Sequence, residues 1–368
     1  MNILITGANG FIGKNLHFKL KEIGKYQLLE FNKTDKITNL EKKIKKADLL
    51  IHLAGENRSK REEDFFENNI NLTENICKIL CDQKRKIPII FSSSIQADLD
   101  NIYGRTKKKA EELLKKLFKK NGNPIKIYRL NGVFGKWCKP NYNSVVATFC
   151  SSIIQGKDIF ISDSEKIINL IYIDDVVNEF INNIKKPIKD FSFGEIKPLY
   201  NITLDNLAKQ IKSFKETRNN LTINKVGIGF IRKLYSTYLS YIPIENCSYE
   251  LDINKDERGS FVEFLKTTDS GQISYFTAKP GIVRGNHYHH TKSEKFLVVK
   301  GKAKFEFISL VNNKYKEIFI TAEKPTIVET IPGWNHSIKN IGDEDMIVVL
   351  WANEIFDKEN PDTYSLKN

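Results

Sequence analysis

The chain has 368 residues, 40% hydrophobic and 28% charged, which suits a folded protein of about two domains and argues against a disordered or membrane-spanning one. A net charge of +13 raises nucleic acid or an acidic membrane surface as partners. The basic residues alternate with acidic ones, however, and the densest run, Arg105 to Lys120, carries Glu111 and Glu112 on an amphipathic helical pattern, so neither nucleic acid nor membrane is expected.

The first half alternates short apolar runs with helical patterns. Strands are predicted over Asn2–Thr6, Gln27–Phe31, Ala47–Leu53, Ile87–Ser92 and Ile125–Leu130. Helices are predicted over Gly10–Leu20, Phe65–Cys81 and Thr106–Phe118. Such alternation predicts an α/β doubly wound parallel sheet of the Rossmann kind. After about Pro243 the pattern changes to short β-rich runs: Gly259–Leu265, Gln272–Thr277, Lys295–Val299, Ala303–Leu310, Glu317–Thr321, Thr326–Ile331 and Met346–Trp351. Turn residues separate them, which predicts an all-β barrel. The expected domains are residues 1–243 and 252–368, with the linker inside Tyr241–Asn254. The chain starts on an apolar strand rather than a charged leader, and Cys77, Cys81, Cys138, Cys150 and Cys247 form no Cys-x-x-Cys pair. A cytoplasmic protein is expected.

Gly7, Gly10 and Gly13 form Gly-x-x-Gly-x-x-Gly between the first strand and the first helix. The first permits a tight turn, the second lets backbone approach a pyrophosphate, and the third allows close helix–strand packing. The helix N-terminus then offers free N–H groups to phosphate. An acid about 20 residues on would bind the ribose 2′-hydroxyl of NAD. Here the second strand ends Phe31-Asn32-Lys33, and Lys33 favours the 2′-phosphate of NADPH; it is otherwise one more surface lysine. Tyr103 and Lys107 are four apart, so both project from one helix face. A tyrosine beside an ammonium has a lowered pKa and can protonate a carbonyl oxygen during hydride transfer. Ser94, at the end of the Ser92-Ser93-Ser94 run, is placed to hydrogen-bond the same oxygen.

These residues resemble the extended short-chain dehydrogenase/reductase family, and Leu170-Ile-Tyr-Ile-Asp-Asp-Val-Val177 resembles its late motif in nucleotide-sugar enzymes. Asp174 and Asp175 alternatively cap a helix. The resemblance implies coenzyme contacts from Gly7, Asn9, Gly10, Phe11, Ile12, Gly13, Lys33, Leu53, Ala54, Tyr103 and Lys107. It implies substrate contacts from Arg129, Asn131, Asn143 and Ser144, with Gly132 standing where the family usually carries a substrate-binding Asn.

Of six histidines, His17 and His52 are isolated and read as structural. His287, His289, His290 and His336 lie in the β-rich half. The spacing Gly-x5-His-x-His-x4-Glu-x6-Gly from Gly281 to Gly301 is similar to the first cupin motif. His287, His289, Glu294 and His336 form a donor set for one divalent ion, best Zn²⁺. Pro332 and Gly333 are adjacent, where the second cupin motif usually spaces them. Asp256-Glu-Arg-Gly-Ser-Phe-Val-Glu263 and Gly281-Ile-Val-Arg-Gly-Asn-His-Tyr288 also resemble dehydrorhamnose 3,5-epimerases, metal-free cupins in which the motif histidine is a base. His289 stands where they carry Gln. His287 is thus a ligand or a base, the metal catalytic or structural, and Tyr288 and Lys295 are candidates for nearby acid or base roles.

Taken whole, the chain resembles the CapF-type bifunctional enzymes of capsular polysaccharide synthesis. Gly135-Lys-Trp-Cys-Lys-Pro-Asn-Tyr-Asn-Ser144, Leu234-Tyr-Ser-Thr-Tyr-Leu-Ser-Tyr241 and Pro361-Asp-Thr-Tyr364 carry that resemblance. It implies a homodimer acting on a UDP-linked 4-keto sugar, UDP-2-acetamido-2,6-dideoxy-β-L-arabino-hexulose. Its carbon 3 is epimerised by the cupin, and carbon 4 is then reduced with NADPH to UDP-N-acetyl-L-talosamine, towards N-acetyl-L-fucosamine. Two rivals stand beside it: a one-step reductase whose cupin only binds or dimerises, and a redox sensor that holds NADP without turnover. The Tyr103–Lys107 pair weighs against the sensor.

Overall fold

A computed structural model describes residues 1–161, 163–186 and 188–365. It divides into two compact units, Met1–Lys212 with Gly227–Ile242, and Ser213–Val226 with Pro243–Asn368. The second thus takes in 213–226, which no change of sequence pattern sets apart.

The first unit begins β1 (Asn2–Thr6), α1 (Phe11–Ile23), β2 (Gln27–Phe31), α2 (Ile37–Lys46) and β3 (Leu49–His52). A helical stretch follows, made of α3 (Glu62–Phe65), a π-helical turn (Phe66–Asn71) and α4 (Leu72–Asp82). Then come β4 (Ile89–Ser94), a 3-10 turn (Ile95–Asp98), α5 (Ile102–Asn121), β5 (Ile125–Leu130), β6 (Gly132–Phe134), α6 (Val145–Ile154), β7 (Ile167–Tyr172), α7 (Ile173–Lys185), β8 (Phe191–Gly194) and β9 (Tyr200–Thr203). The main sheet has the order β2-β1-β3-β4-β5-β8, parallel throughout. Helices cover it, so Ile3, Leu4, Ile5, Leu50 and Ile51 are wholly buried, and the central strands β1 and β3 read as apolar runs. The strand order turns back at β1, and the carboxyl ends of such strands are where open α/β sheets bind ligands.

Helix α5 starts four residues before its apolar pattern does. The Asn101 side chain accepts from the Gly104 N–H at 2.8 Å and caps it. A Cβ on Gly104 would fall 2.1 Å from the Gln96 carbonyl oxygen. Glycine therefore lets the first turn of α5, which carries Tyr103, press against the 3-10 turn that follows Ser94.

The second unit contributes β10 (Thr222–Ile223), β11 (Asn254–Asp256), β12 (Gly259–Thr267), β13 (Gly271–Ala278), β14 (Val283–Tyr288), β15 (Glu294–Lys300), β16 (Lys302–Ser309), β17 (Tyr315–Thr321), β18 (Ile327–Glu329), β19 (Trp334–Asn340), β20 (Met346–Ala352) and β21 (Tyr364–Ser365). One sheet runs β10-β12-β13-β20-β15-β18 and the other β17-β16-β19-β14-β21, in a cupin-like β domain. Period-2 alternation sends Phe276, Phe296, Val298, Phe305, Phe307, Ile338 and Val348 into one core. Gly271 opens β13 at φ +75°, and a Cβ there would lie 1.8 Å from the Ala352 carbonyl oxygen. Gly271→Ala is expected to lower stability by more than the 1–2 kcal/mol of a left-handed non-glycine residue, about 2 kcal/mol or above, read by thermal melting.

Candidate functional site

The glycine turn of the first unit forms a cradle for a dinucleotide. Gly7 has φ +72°, its N–H donates to the Phe31 carbonyl at 2.7 Å, and a Cβ on it would meet the Ala54 backbone at 2.8 Å. A Cβ on Gly13 would meet the Gly7 carbonyl oxygen at 2.2 Å, so only glycine allows α1 to sit this close. No side chain caps α1, which leaves its first N–H groups open. The residues present therefore fit a pyrophosphate. Asn9 donates its N–H to the Asn32 side chain at 2.9 Å, which ties the turn to the end of β2. The Lys33 ammonium is 70% exposed and lies 3.6 Å from Glu56. His52 is buried between Thr6 (2.7 Å) and Thr73 (3.0 Å), and burial pushes its pKa down to about 3. His17 pairs with Glu30 at 2.6 Å.

Each serine at the end of β4 reaches a different residue of α5. The Ser92 carbonyl accepts from the Lys107 ammonium at 2.9 Å. The Ser93 hydroxyl donates to Glu111, and the Ser94 hydroxyl hydrogen-bonds Tyr103. Ser94, Tyr103 and Lys107 thus stand together, as their spacing predicts. The expected lowering of the Tyr103 pKa does not occur. Burial raises it, the Ser94 bond offsets this only in part, and Lys107 is turned to Ser92 over the Phe91 ring. The Lys107 ammonium is itself lowered to about 8 by burial, against the pull of Glu111.

Asn69 lay outside the sequence prediction. It is buried on the π-helical turn, accepts from the Glu56 N–H (2.8 Å), and donates to the Glu56 carbonyl (2.9 Å) and the Thr106 hydroxyl (2.9 Å). Glu56 in turn accepts from the Tyr142 hydroxyl, and Arg58 donates to the Tyr142 carbonyl. This network joins the segment after β3 to the one before α6. Nothing in the periodicity marks Asn69; π-turns inside helices often mark functional positions.

The four residues assigned to substrate divide. Arg129 is taken up by ion pairs to Glu111 (2.7 Å) and Asp98 (2.6 Å) and stands over the Phe193 ring. Ser144 caps α6 through the Ala147 N–H. Asn143 is exposed and Asn131 half-buried. A Cβ on Gly132 would already meet the Asn169 carbonyl oxygen at 3.1 Å. Asp174 and Asp175 do not cap α7, whose N-cap position is Tyr172. They lie in its first turn, paired with Lys136 at 2.8 Å and Lys233 at 2.7 Å.

In the second unit the four predicted ligands converge. Their donor atoms on His287, His289, Glu294 and His336 all lie within 4.8 Å of one another. A bulge after Gly285, with Asn286 at φ +65°, sets His287 opposite His336. His289 follows the end of β14, Glu294 begins β15, and His336 sits on β19. The Glu294 carboxylate lies 3.1 Å from His289 Nε2 and 3.3 Å from His336 Nε2. The His336 atom is buried without an aligned hydrogen bond, so the ion-pair distance there is not a bond. Burial raises the Glu294 pKa, but the imidazoles of His289 and His336 beside it outweigh this and hold the group well below the carboxylate range. Burial lowers His287 to about 4. Three imidazole nitrogens, one of them the orphaned His336 Nε2, and a carboxylate fit a divalent ion.

A cavity of about 350 Å³ opens on this cluster, walled by Phe261, Phe276, Phe296, Phe305 and Phe356. Arg258, Arg284 and Lys292 line it too. Lys292 is buried, its ammonium stands 5.4 Å from the Phe356 ring centroid, and among the described residues it has no ion pair. Lys295 and Tyr288, the acid–base candidates, do not line it. Strand alternation turns Lys295 outward to Glu329, and the Tyr288 ring stacks on Tyr364.

Two family models match the chain: the NAD dependent epimerase/dehydratase family over residues 3–194 and the polysaccharide biosynthesis C-terminal domain over 254–364. A UDP-2-acetamido-2,6-beta-L-arabino-hexul-4-ose reductase of Pseudomonas aeruginosa is 48% identical over 99% of this chain and 98% of its own. The capsular polysaccharide assembling protein CapF of Staphylococcus aureus superposes with a TM-score of 0.92, at 41% identity over the whole of both chains. A UDP-glucuronic acid 4-epimerase of Bacillus cereus, 18% identical and covering 66% of this chain and 99% of its own (TM-score 0.57), shares the fold alone. With a relative this similar over its full length and both domains matched in order, the chain belongs to the CapF-type family of bifunctional nucleotide-sugar enzymes.

Proposed function

We propose that this protein converts UDP-2-acetamido-2,6-dideoxy-β-L-arabino-hexulose to UDP-N-acetyl-L-talosamine, towards N-acetyl-L-fucosamine for capsule or O-antigen. It does so in the cytoplasm, as a homodimer, by epimerisation at carbon 3 in the cupin unit and NADPH-dependent reduction at carbon 4 in the Rossmann unit. The observation that carries this is one complete constellation in each unit: Ser94, Tyr103 and Lys107 assembled at the end of β4, and a four-ligand cluster facing a cavity.

The carbon 3 proton is acidic because the adjacent ketone takes up the charge left behind. In an apolar cavity that charge needs a cation, and the unpaired Lys292 ammonium is inside it. Arg284 offers a guanidinium group to a diphosphate, beside Arg258, which is paired with Asp256. His287 is held neutral, the form required of either a ligand or a base. A divalent ion held by His287, His289, Glu294 and His336, with Zn²⁺ the best match, would polarise the carbonyl or fasten the barrel.

In the other unit NADPH supplies the hydride. Tyr103 keeps its proton at neutral pH, its ordinary pKa of 10.0 being raised further by burial, so it is ready to protonate the carbon 4 oxygen. Ser94 orients that oxygen, and Lys107 holds the ribose. Lys33, exposed at the end of β2, supports the 2′-phosphate and hence NADPH.

Proton NMR of the 4-keto sugar in deuterated water, without NADPH, tests the proposal first. Deuterium is expected at carbon 3; its absence beside an active reductase would leave a one-step enzyme. Tyr103→Phe is expected to lower reductase kcat by about 10²–10⁴-fold while carbon 3 exchange continues.

Lys107 gives a pH signature. Its folded pKa of about 8 lies below the ordinary 10.5, so the unfolded chain binds the extra proton between those values. Stability therefore gains as pH rises through that window and loses as pH falls through about 8. Coenzyme affinity runs the other way, because the charge that holds ribose and phosphate disappears. NADPH binding, followed by fluorescence, is expected to weaken above pH of about 8. Lys107→Met should remove that step.

A further inference from the structure

We infer that Asp362 is a positioning residue of the metal cluster, and that the segment Pro361–Ser365 is a built part of that site. The inference rests on the reading that His287, His289, Glu294 and His336 hold a divalent ion.

The Asp362 carboxylate accepts from four donors: the N–H groups of His290 (2.9 Å), Thr291 (2.6 Å) and Lys292 (2.7 Å), and the Thr291 hydroxyl (2.8 Å). Those donors make up the turn between His289 and Glu294, so one carboxylate sets the separation of two ligands. The Asp362 backbone carbonyl also accepts from His289 Nδ1 at 2.5 Å. An imidazole that donates from Nδ1 presents Nε2 as an acceptor. That Nε2 lies 3.1 Å from the Glu294 carboxylate oxygen. Two acceptors then face each other at hydrogen-bond distance, an arrangement that a cation between them satisfies.

The segment is anchored independently of the carboxylate. β21 pairs with β14, Ser365 opposite His287 and Tyr364 opposite Tyr288. The rings of Tyr364 and Tyr288 stack with centroids 5.5 Å apart. Thr363 lines the cavity. The Gly333 N–H completes the clamp by donating to the His289 carbonyl at 2.9 Å.

The test uses full-length wild type, Asp362→Ala and Asp362→Asn, each stripped of metal. Zn²⁺ affinity is measured against a chromophoric chelator, Co²⁺ geometry by visible absorption, and folding by circular dichroism. Asp362→Ala is expected to bind Zn²⁺ about 10–100-fold more weakly, with an altered Co²⁺ spectrum and an unchanged dichroism spectrum. Asp362→Asn, which keeps one acceptor oxygen, is expected to lose less. Wild-type affinity in Asp362→Ala would overturn the inference, as would weakened affinity with a wild-type Co²⁺ spectrum, the mark of a merely structural role. Should Asp362→Ala fail to fold, Asp362→Asn decides: weakened Zn²⁺ binding with a changed Co²⁺ spectrum supports the inference, and wild-type values overturn it. A wild-type protein that binds neither ion would instead overturn the metal reading beneath it.

Discussion

A charge taken out of water must be met by another group, and that requirement decides where the functional side chains of both units stand. In the Rossmann unit, Lys107 is buried with the Ser92 carbonyl and the Phe91 ring as its partners, one turn from Glu111. Glu111 is held by Ser93 and Arg129. The three serines of β4 therefore fix a lysine, a glutamate and a tyrosine in successive positions of α5. In the cupin unit, Glu294 is buried beside the phenylalanines of the cavity with the Nε2 atoms of His289 and His336 facing its carboxylate, so a cation among them meets its charge.

The same requirement explains the fate of Arg129. A guanidinium beside buried Glu111 neutralises it, and the substrate contact that the resemblance implies for Arg129 would be made beside those ion pairs. Lys295 teaches the converse. It is next to a ligand in sequence, but a strand turns neighbours to opposite faces, and the cavity's ammonium comes from Lys292 in the preceding turn.

Most of the fold was legible because its signals are local. Strands β1 to β5 are largely apolar runs of four to six residues between helical patterns, and the barrel strands alternate with period 2. The cluster of His287, His289, Glu294 and His336 was legible as a candidate because cupin spacing brings such residues together. Three features were not. The extra turn of α5 depends on the Asn101 cap and the Gly104 contact with Gln96, which act across a chain reversal. Asn69 depends on a π-turn that breaks the helical period locally. Asp362 lies about seventy residues from the turn it holds, and no periodic pattern links the two.

Asp362 also shows why such residues escape notice. A ligand must carry an imidazole, thiolate or carboxylate at a set spacing, so it leaves a motif. A residue that orients ligands needs only one acceptor where several N–H groups converge, and any loop that reaches the spot can bring it. Here the reaching element is the pairing of β21 with β14. That pairing places a carboxylate over one turn and a carbonyl over one imidazole in a single residue. The carboxylate fixes the path of the chain, and the carbonyl fixes the tautomer. A cluster assembled from three strands thereby acquires one defined geometry instead of several of similar energy.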